Sequence, residues 1–442
     1  MDKLLIKGGL SLKGEVSVSG AKNVALKVLL AAFLTDEEVI IENIPLITDF
    51  YLMVEIIKRL GIKVKIFEDE HKIVMQNKGV KDFKIPLEMG ARLRTSSMLI
   101  APFLARFGEV QIPNPGGCRI GARPIGRHIK GLEKMGAKVH YFPEDGYFHA
   151  QAKKLIGATY KFPKNTHTGT ETLILAAVLA EGETVLENAA QEPEIDDLIK
   201  LLNLMGSKIK RIAPRKIVIK GVKKLHGANF KIMFDRNEIV TFAIAALVTK
   251  GDIIIHGTQR ENLKFFLDKL DETNAGWEPV TERTTRFYFK GELKPTDVTT
   301  AFHPGFMTDW QAPWAVLMTQ AEGISTIHET VFEDRLSYAE ELKKLGAKIE
   351  FFNPEVKNPE ECYNFNWKDN YSSYFHAIRI SGPSLLHNAV LKVADLRAGA
   401  TLVLGALAAS GESLVFGVSH IDRGYEEIEE RLRKLGAEIK RI

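Results

Sequence analysis

The stretch Thr172-LILAAVLAEGETVLENAA, residues 172 to 190, decides the fold. An apolar run at helical spacing ends at Gly182, the natural stop for a helix, and the chain resumes as the alternating, β-branched Thr184-Val185-Leu186 of a strand. The same order recurs in Ala25-LKVLLAAFLTDEEVIIENIP, Ser97-MLIAPFLARFGEVQIPNP, Thr241-FAIAALVTKGDIIIHGTQ, Pro313-WAVLMTQAEGISTIHET and Gly399-ATLVLGALAASGESLVFGVS. Five of the six copies break at glycine; the first has Asp36-Glu37-Glu38 instead. Each is followed by an amphipathic helix that closes on Leu/Met-Gly and a further strand: KRLGIKVKIF (58–67), EKMGAKVHYF (133–142), NLMGSKIKRI (203–212), DETNAGWEPV (271–280), KKLGAKIEFF (343–352) and RKLGAEIKRI (433–442). The fourth is degenerate.

The repeat is on the order of 70 residues, too large for a thin solenoid. Alternating helices and strands make an α/β protein, and six units divide as three plus three into two similar domains. The chain is expected to cross between them near residues 21–24 and 231–236. The expected domains are residues 1–21 with 235–442, and 22–234, the latter carrying the loop around Cys118, with the ligand site in the cleft between them. Asn353 to Phe375 reads as an inserted polar-aromatic loop.

Composition removes other classes. Over 442 residues, 45% hydrophobic and 26% charged side chains are ordinary for a folded chain and exclude disorder. No apolar run reaches the roughly 18–20 residues of a membrane span, and the start lacks the apolar core of a secretory signal, so a cytoplasmic protein is expected. Two cysteines cannot make a disulfide framework. A formal charge of +4 is too slight for a nucleic-acid coat. Motifs for a dinucleotide fold, a phosphate loop or a metal helix are lacking, and the 12 histidines do not cluster with cysteine at zinc spacing. Cofactor-free, metal-free chemistry on anionic substrates is left.

The residues just before the six apolar helices are informative, because free backbone N–H groups there bind anions. They are Ser19-Gly20-Ala21-Lys22-Asn23, Arg92-Leu93-Arg94-Thr95, His167-Thr168-Gly169-Thr170, Asp235-Arg236-Asn237-Glu238, Thr308-Asp309-Trp310-Gln311 and Asp395-Leu396-Arg397. Four carry Lys or Arg at the positive end of a helix dipole, which disfavours them unless an anion is present. Ser19, Asp309 and Asp395 read equally well as N-caps. Among the loops that follow the strands, Asn114-Pro-Gly-Gly-Cys118-Arg-Ile-Gly-Ala-Arg123-Pro124 places a lone thiol among glycines and arginines, a setting that makes a cysteine reactive. Cys362 has no such setting. The loops Val331-Phe332-Glu333-Asp334-Arg335 and His420-Ile-Asp-Arg423-Gly-Tyr425 occupy the equivalent places in the last two units.

These motifs, in order and spacing, resemble the UDP-N-acetylglucosamine 1-carboxyvinyltransferase family, the enolpyruvyl transferases that open bacterial peptidoglycan synthesis. Ser19 to Asn23, Pro115 to Cys118 with Gly121 to Pro124, Glu187 to Ala190, Thr308-Asp309, Asp395 to Arg397 and His420 to Glu426 carry the resemblance, which covers nearly the whole chain. It implies a two-domain inside-out α/β barrel with three βαβαββ-type units per domain. It also implies transfer of the enolpyruvyl group of phosphoenolpyruvate to the 3'-hydroxyl of UDP-N-acetylglucosamine by addition and elimination, and hence a fosfomycin target at Cys118. The family's roles would fall on Cys118 as proton donor to the enol carbon and on Asp309 as general base or hydroxyl-positioning group. Lys22, Asn23, Arg123, Arg397 and Arg423 would hold phosphoenolpyruvate. Arg94, Arg123, Pro124, Ile125, Gly126, Arg127, Asp309 and Val331 would line the UDP-sugar, with His167, Thr168, Gly169 and Phe332 beside them. Neither a cofactor nor a protein partner is implied.

Three stretches depart from the family's usual text. Asn165 to Glu171 stands where Lys-x-Ser-Val-Gly-Ala-Thr is usual, Gly126-Arg127 where an acidic-apolar pair is, and Ile239-Val240, after Asp235 to Glu238, where Thr-Gly or Ala-Gly is. Three alternatives stay open: a paralogous enolpyruvyl transferase using another uridine nucleotide, the shikimate-pathway enzyme of the same fold, which ordinarily lacks the loop cysteine, and a non-catalytic nucleotide-sugar binding protein.

Overall fold

Six helices form where the six apolar runs predict them: α1 (Lys22–Val28), α2 (Ile100–Arg106), α3 (His167–Ala177), α4 (Arg236–Val248), α5 (Gln311–Met318) and α6 (Leu396–Ala408). The computed structural model describes residues 2–117 and 120–442. Helices α1 and α2 are short because a 3-10 turn extends the first (Leu29–Leu34) and precedes the second (Arg94–Leu99). Every residue of α4 and α5 is buried. A helix apolar on all sides has no solvent face and must be enclosed by other elements.

The chain forms two units, one comprising Met1–Ser19, Cys118–Arg123 and Phe234–Ile442, the other Gly20–Gly117 and Pro124–Met233. Each has its own hydrophobic core. In unit one α4, α5 and α6 pack on one another; in unit two α2 packs on α3 and on the turn that extends α1. Among the described residues three separate sheets accompany the helices in each unit, one per repeat.

The repeat quoted first shows how one sheet is built. Strand Glu183–Glu187 follows α3, runs parallel to Thr159–Lys161 and antiparallel to Lys216–Lys220, which pairs outward with Lys208–Ala213. Between them Pro193–Leu204 forms the amphipathic helix, started by Pro193, whose fixed φ and missing N–H suit the first turn. The turn after it needs a left-handed residue, supplied by Gly206 at φ +98°. Gly61, Gly136, Gly346 and Gly436 repeat this at φ between +95° and +110°. In the degenerate fourth copy the left-handed place goes to Asn274 at φ +65°, asparagine being the side chain best able to replace glycine there. The same copy also modifies its first break: Lys250 is the left-handed residue, and Gly251 is needed because a Cβ would lie 2.1 Å from the Leu12 carbonyl.

The N-terminal strand Lys3–Lys7 completes the last repeat, lying between Glu412–Phe416 and Glu438–Arg441. The 353–375 insertion is more ordered than a loop. It contains a short helix, Pro359–Cys362, and a stack in which Tyr363 and Trp367 lie 5.1 Å apart at 12°. Among the described residues no helix is long and apolar enough to cross a membrane, and no group of three or more His, Cys, Asp or Glu could hold a metal.

Candidate active site

In unit one the site residues converge on Asp309. It precedes α5 without capping it; Trp310 occupies the cap position and makes no side-chain cap bond. The carboxylate is turned instead to two guanidiniums, accepting from Arg335 Nη2 at 2.5 Å and lying 3.5 Å from Arg397 Nη2. Burial alone would lift this carboxyl, but Arg335, then Arg397, and Arg236 beyond them hold it well below the usual carboxylate range.

Arg397 reaches Asp309 from the first turn of α6, where Asp395 is a true N-cap, accepting from the backbone N–H of Arg397 at 2.9 Å and of Ala398 at 3.2 Å. Its other arm donates to Tyr425 Oη at 3.1 Å, and Tyr425 in turn meets Thr241 Oγ1 at 2.8 Å. Arg335 is equally anchored. Its Nη1 donates to Thr308 Oγ1 at 3.1 Å, and that hydroxyl donates to Glu329 Oε2 at 2.7 Å. Glu329 Oε1 accepts from the N–H groups of Val331 and Phe332 at 2.7 and 3.0 Å, so it fixes the turn on which Val331 sits. Burial pushes the Glu329 carboxyl up despite the pull of Arg335.

The segment after Cys118 docks on this turn. Ala122 N–H donates to Glu333 Oε1 at 2.7 Å, and Gly121 beside it stands at φ +131°, a backbone conformation that favours glycine. Arg123 stacks over the Phe332 ring at 5.5 Å, and Arg335 also lies over that ring, at 5.1 Å. Cys118 and Arg119 lie outside the described residues. Arg423 is half-buried in the turn two residues before Tyr425.

Unit two holds the remaining candidates. Lys22 opens α1, is buried, and pairs with Asp49 Oδ2 at 2.7 Å. Asn23 follows it, and its carbonyl accepts from Lys27 Nζ. Arg94 begins the 3-10 turn before α2. Pro124 is exposed, Ile125 is buried at the cap of helix Gly126–Lys134, and Arg127 in its first turn donates to the Asn165 carbonyl at 3.3 Å. At the start of α3 Thr166 is the N-cap, accepting from Gly169 N–H at 3.2 Å, with His167 and Thr168 exposed in part beside it.

His128 ties these pieces together, meeting Thr168 Oγ1 at 3.3 Å and Thr172 Oγ1 at 3.5 Å. Burial, then the Arg94 and Arg127 charges, bring its pKa down to about 3. Because the folded-state value is lowered, the neutral ring should persist far below the ordinary range, and stability should fall as pH drops from about 6.5 toward 3. Imidazole NMR should find His128 neutral at pH 5; a charged ring there would contradict this electrostatic picture.

Three residues that sequence reasoning did not assign carry much of the unit-one geometry: Arg335, Glu329 and Arg236. Arg335 and Arg236 stood in the quoted segments, but nothing in their spacing paired them with Asp309; Glu329 had no signal. Arg236 lies over the Trp310 ring at 5.7 Å and meets His303 Nδ1 at 3.1 Å. Ser19, read as a possible cap, is none: its N–H and hydroxyl donate to Glu238 Oε2 at 2.8 Å and Glu426 Oε2 at 3.1 Å.

A carboxylate set between two buried arginines, one at a helix start and one in a strand-end loop, on three-sheet units built from one repeat, defines the class. The family model for EPSP synthase (3-phosphoshikimate 1-carboxyvinyltransferase) matches residues 6–432, and the chain belongs to this family of enolpyruvyl transferases. Within it, the chain is similar to proteins named UDP-N-acetylglucosamine 1-carboxyvinyltransferase. That of Acidobacterium capsulatum is 43% identical, over 100% of this chain and 96% of its own length. Those of Koribacter versatilis and Magnetococcus marinus are 43% and 40% identical, over 100% of this chain and 97% and 100% of theirs. Among solved structures, the enolpyruvyl transferase NikO from Streptomyces tendae superposes with a TM-score of 0.87 at 24% identity, covering 100% of this chain and 99% of its own. EPSP synthase from Acinetobacter baumannii gives 0.73 at 17%, covering 100% of both chains. These two likenesses bear on the fold alone, and they agree with the enolpyruvyl transferase fold that the family resemblance implies.

Proposed function

We propose that the protein transfers the enolpyruvyl group of phosphoenolpyruvate to the 3'-hydroxyl of UDP-N-acetylglucosamine and releases phosphate, committing the nucleotide sugar to peptidoglycan. The observation that carries this reading is the partly exposed Asp309 carboxylate held between the buried Arg335 and Arg397, in a chain 43% identical over its whole length to a carboxyvinyltransferase of that name.

In this reading the 3'-oxygen adds to C2 of phosphoenolpyruvate while C3 takes a proton from Cys118. The ketal so formed then loses a C3 proton and expels phosphate, restoring the enol ether. Arg397, with Lys22, Asn23, Arg123 and Arg423, holds the phosphate and carboxylate, for which guanidinium forks are well shaped. Arg94, the segment Pro124 to Arg127, Val331 and the start of α3 receive the nucleotide sugar. A carboxylate held as low as Asp309 is a poor base. When substrate anions engage Arg397, its pull on Asp309 weakens and the carboxyl rises toward a value able to accept the hydroxyl proton. Neither cofactor nor metal takes part, and the substrates suit a cytoplasmic location.

The test is phosphate release by the folded protein. It should require phosphoenolpyruvate and UDP-N-acetylglucosamine together. Release with a different uridine nucleotide, or with shikimate 3-phosphate, in place of the sugar would transfer the assignment to one of the rival enzymes. Binding of the nucleotide sugar without turnover would favour the non-catalytic reading.

A further inference from the structure

Behind the start of α3, Glu171 and Lys27 form a buried pair of charges that has no direct part in the proposed reaction. Glu171, in the second turn of α3, is fully buried, and its oxygens face two cations: Oε2 lies 3.4 Å from Lys27 Nζ in α1, and Oε1 lies 3.2 Å from His167 Nε2 at the first position of α3. Among the described residues neither oxygen accepts a well-directed hydrogen bond, so the carboxylate is held chiefly by charge. Lys27 is itself buried, and its ammonium also donates to the carbonyl of Asn23 one turn back. The buried Glu192 carboxylate faces the same ring from the segment before helix Pro193–Leu204.

Stability alone does not account for this group. A buried Lys27–Glu171 pair with imperfect hydrogen bonding, joined by the partly exposed His167, holds helices together less well than apolar side chains of the same volume, and the rest of α3 beyond Thr172 is packed by such side chains. The trio does join two particular places. One is the first turn of α1, which presents Lys22 and Asn23; the other is the first turn of α3, which presents Thr166 to Gly169. We infer that Glu171 is a positioning residue: acting through Lys27 and His167, it fixes the phosphoenolpyruvate-binding turn and the nucleotide-sugar turn in mutual register. This rests on the proposed function, which assigns those turns to the two substrates.

The linkage should depend on pH. Burial lowers the His167 imidazole, but Glu171 and, more weakly, Glu192 outweigh both burial and Lys27, so its pKa is raised. For a raised histidine the stabilising charge is fully present below the unfolded value of about 6.5 and is lost as pH climbs through the higher folded-state value. Above that point the α3 side of the linkage weakens while Lys27 still holds the α1 side.

The experiment uses the full-length protein, with steady-state kinetics, thermal melting and calorimetric binding of UDP-N-acetylglucosamine. Glu171→Gln should raise KM for both substrates about tenfold with kcat changed less than about threefold. Wild-type KM for the nucleotide sugar should climb above neutral pH, and this rise should be absent from Glu171→Gln. The apolar pair Lys27→Met with Glu171→Leu separates positioning from packing: it should regain the wild-type melting temperature and keep the raised KM. Recovery of both melting temperature and KM in the pair variant would overturn the inference, as would KM values in Glu171→Gln within about twofold of wild type. A wild-type protein with no turnover would refute the proposed function instead. Calorimetry would then still decide the present point, since equal affinity of wild type and Glu171→Gln for the nucleotide sugar contradicts it.

Discussion

Asp309→Asn should lower kcat by about a thousandfold, within the range expected when a positioned proton acceptor is removed, while weakening nucleotide-sugar binding far less. Asparagine keeps the shape and can still accept a hydrogen bond from Arg335, but it can neither take the hydroxyl proton nor offer Arg335 and Arg397 a charge. The variant should also lose a pH dependence. Because the Asp309 carboxyl is held low in the folded protein, its contribution to stability is present above the unfolded value of about 4 and disappears as pH falls through the folded-state value. Acid titrations of melting temperature should therefore run closer to flat in Asp309→Asn than in wild type. A kcat within tenfold of wild type would remove Asp309 from the chemistry.

The second large effect is on stability. Arg335→Met should cost about 3–5 kcal/mol, because it leaves the buried Glu329 and the Asp309 carboxylate without their nearest cation. For a unit of some 200 residues this corresponds to a melting temperature lower by roughly 6–20 °C. Arg335→Lys should recover only part of the loss, since an ammonium cannot reach Thr308 and Asp309 with two arms at once. Differential scanning calorimetry reads both variants. Equal melting temperatures for Arg335→Met and wild type would mean that Asp309 is secured by other groups.

The fold was legible because its determinants are local. A glycine at most of the helix ends, a proline at the first turn of one helix and an apolar run enclosed on all sides are written within a few residues of one another, and even the degenerate fourth copy keeps a left-handed residue, Asn274. The site was legible only in part. Lys22, Arg94 and Arg397 could be picked out because they stand at helix starts, where a cation is anomalous. Their partners could not, because pairing is tertiary: Arg335 meets Asp309 across 26 residues of chain, and Tyr425 meets Arg397 across 28. Glu329 is a buried acid in a strand-end turn, and nothing near it in the sequence foretells that it fastens Thr308 and the N–H groups of Val331 and Phe332. The departure at Asn165 to Glu171, unexplained by the sequence, becomes intelligible once Lys27 is found beside Glu171.

The most direct measurement of the central claim is the turnover of phosphoenolpyruvate labelled with heavy oxygen in its C–O–P bridge, together with UDP-N-acetylglucosamine, in deuterated water. Addition and elimination predict that the bridging label leaves with inorganic phosphate and that the vinyl group of the nucleotide-sugar product carries deuterium at the former C3. Phosphate without the label, a product without deuterium, or no product from the folded protein would contradict it.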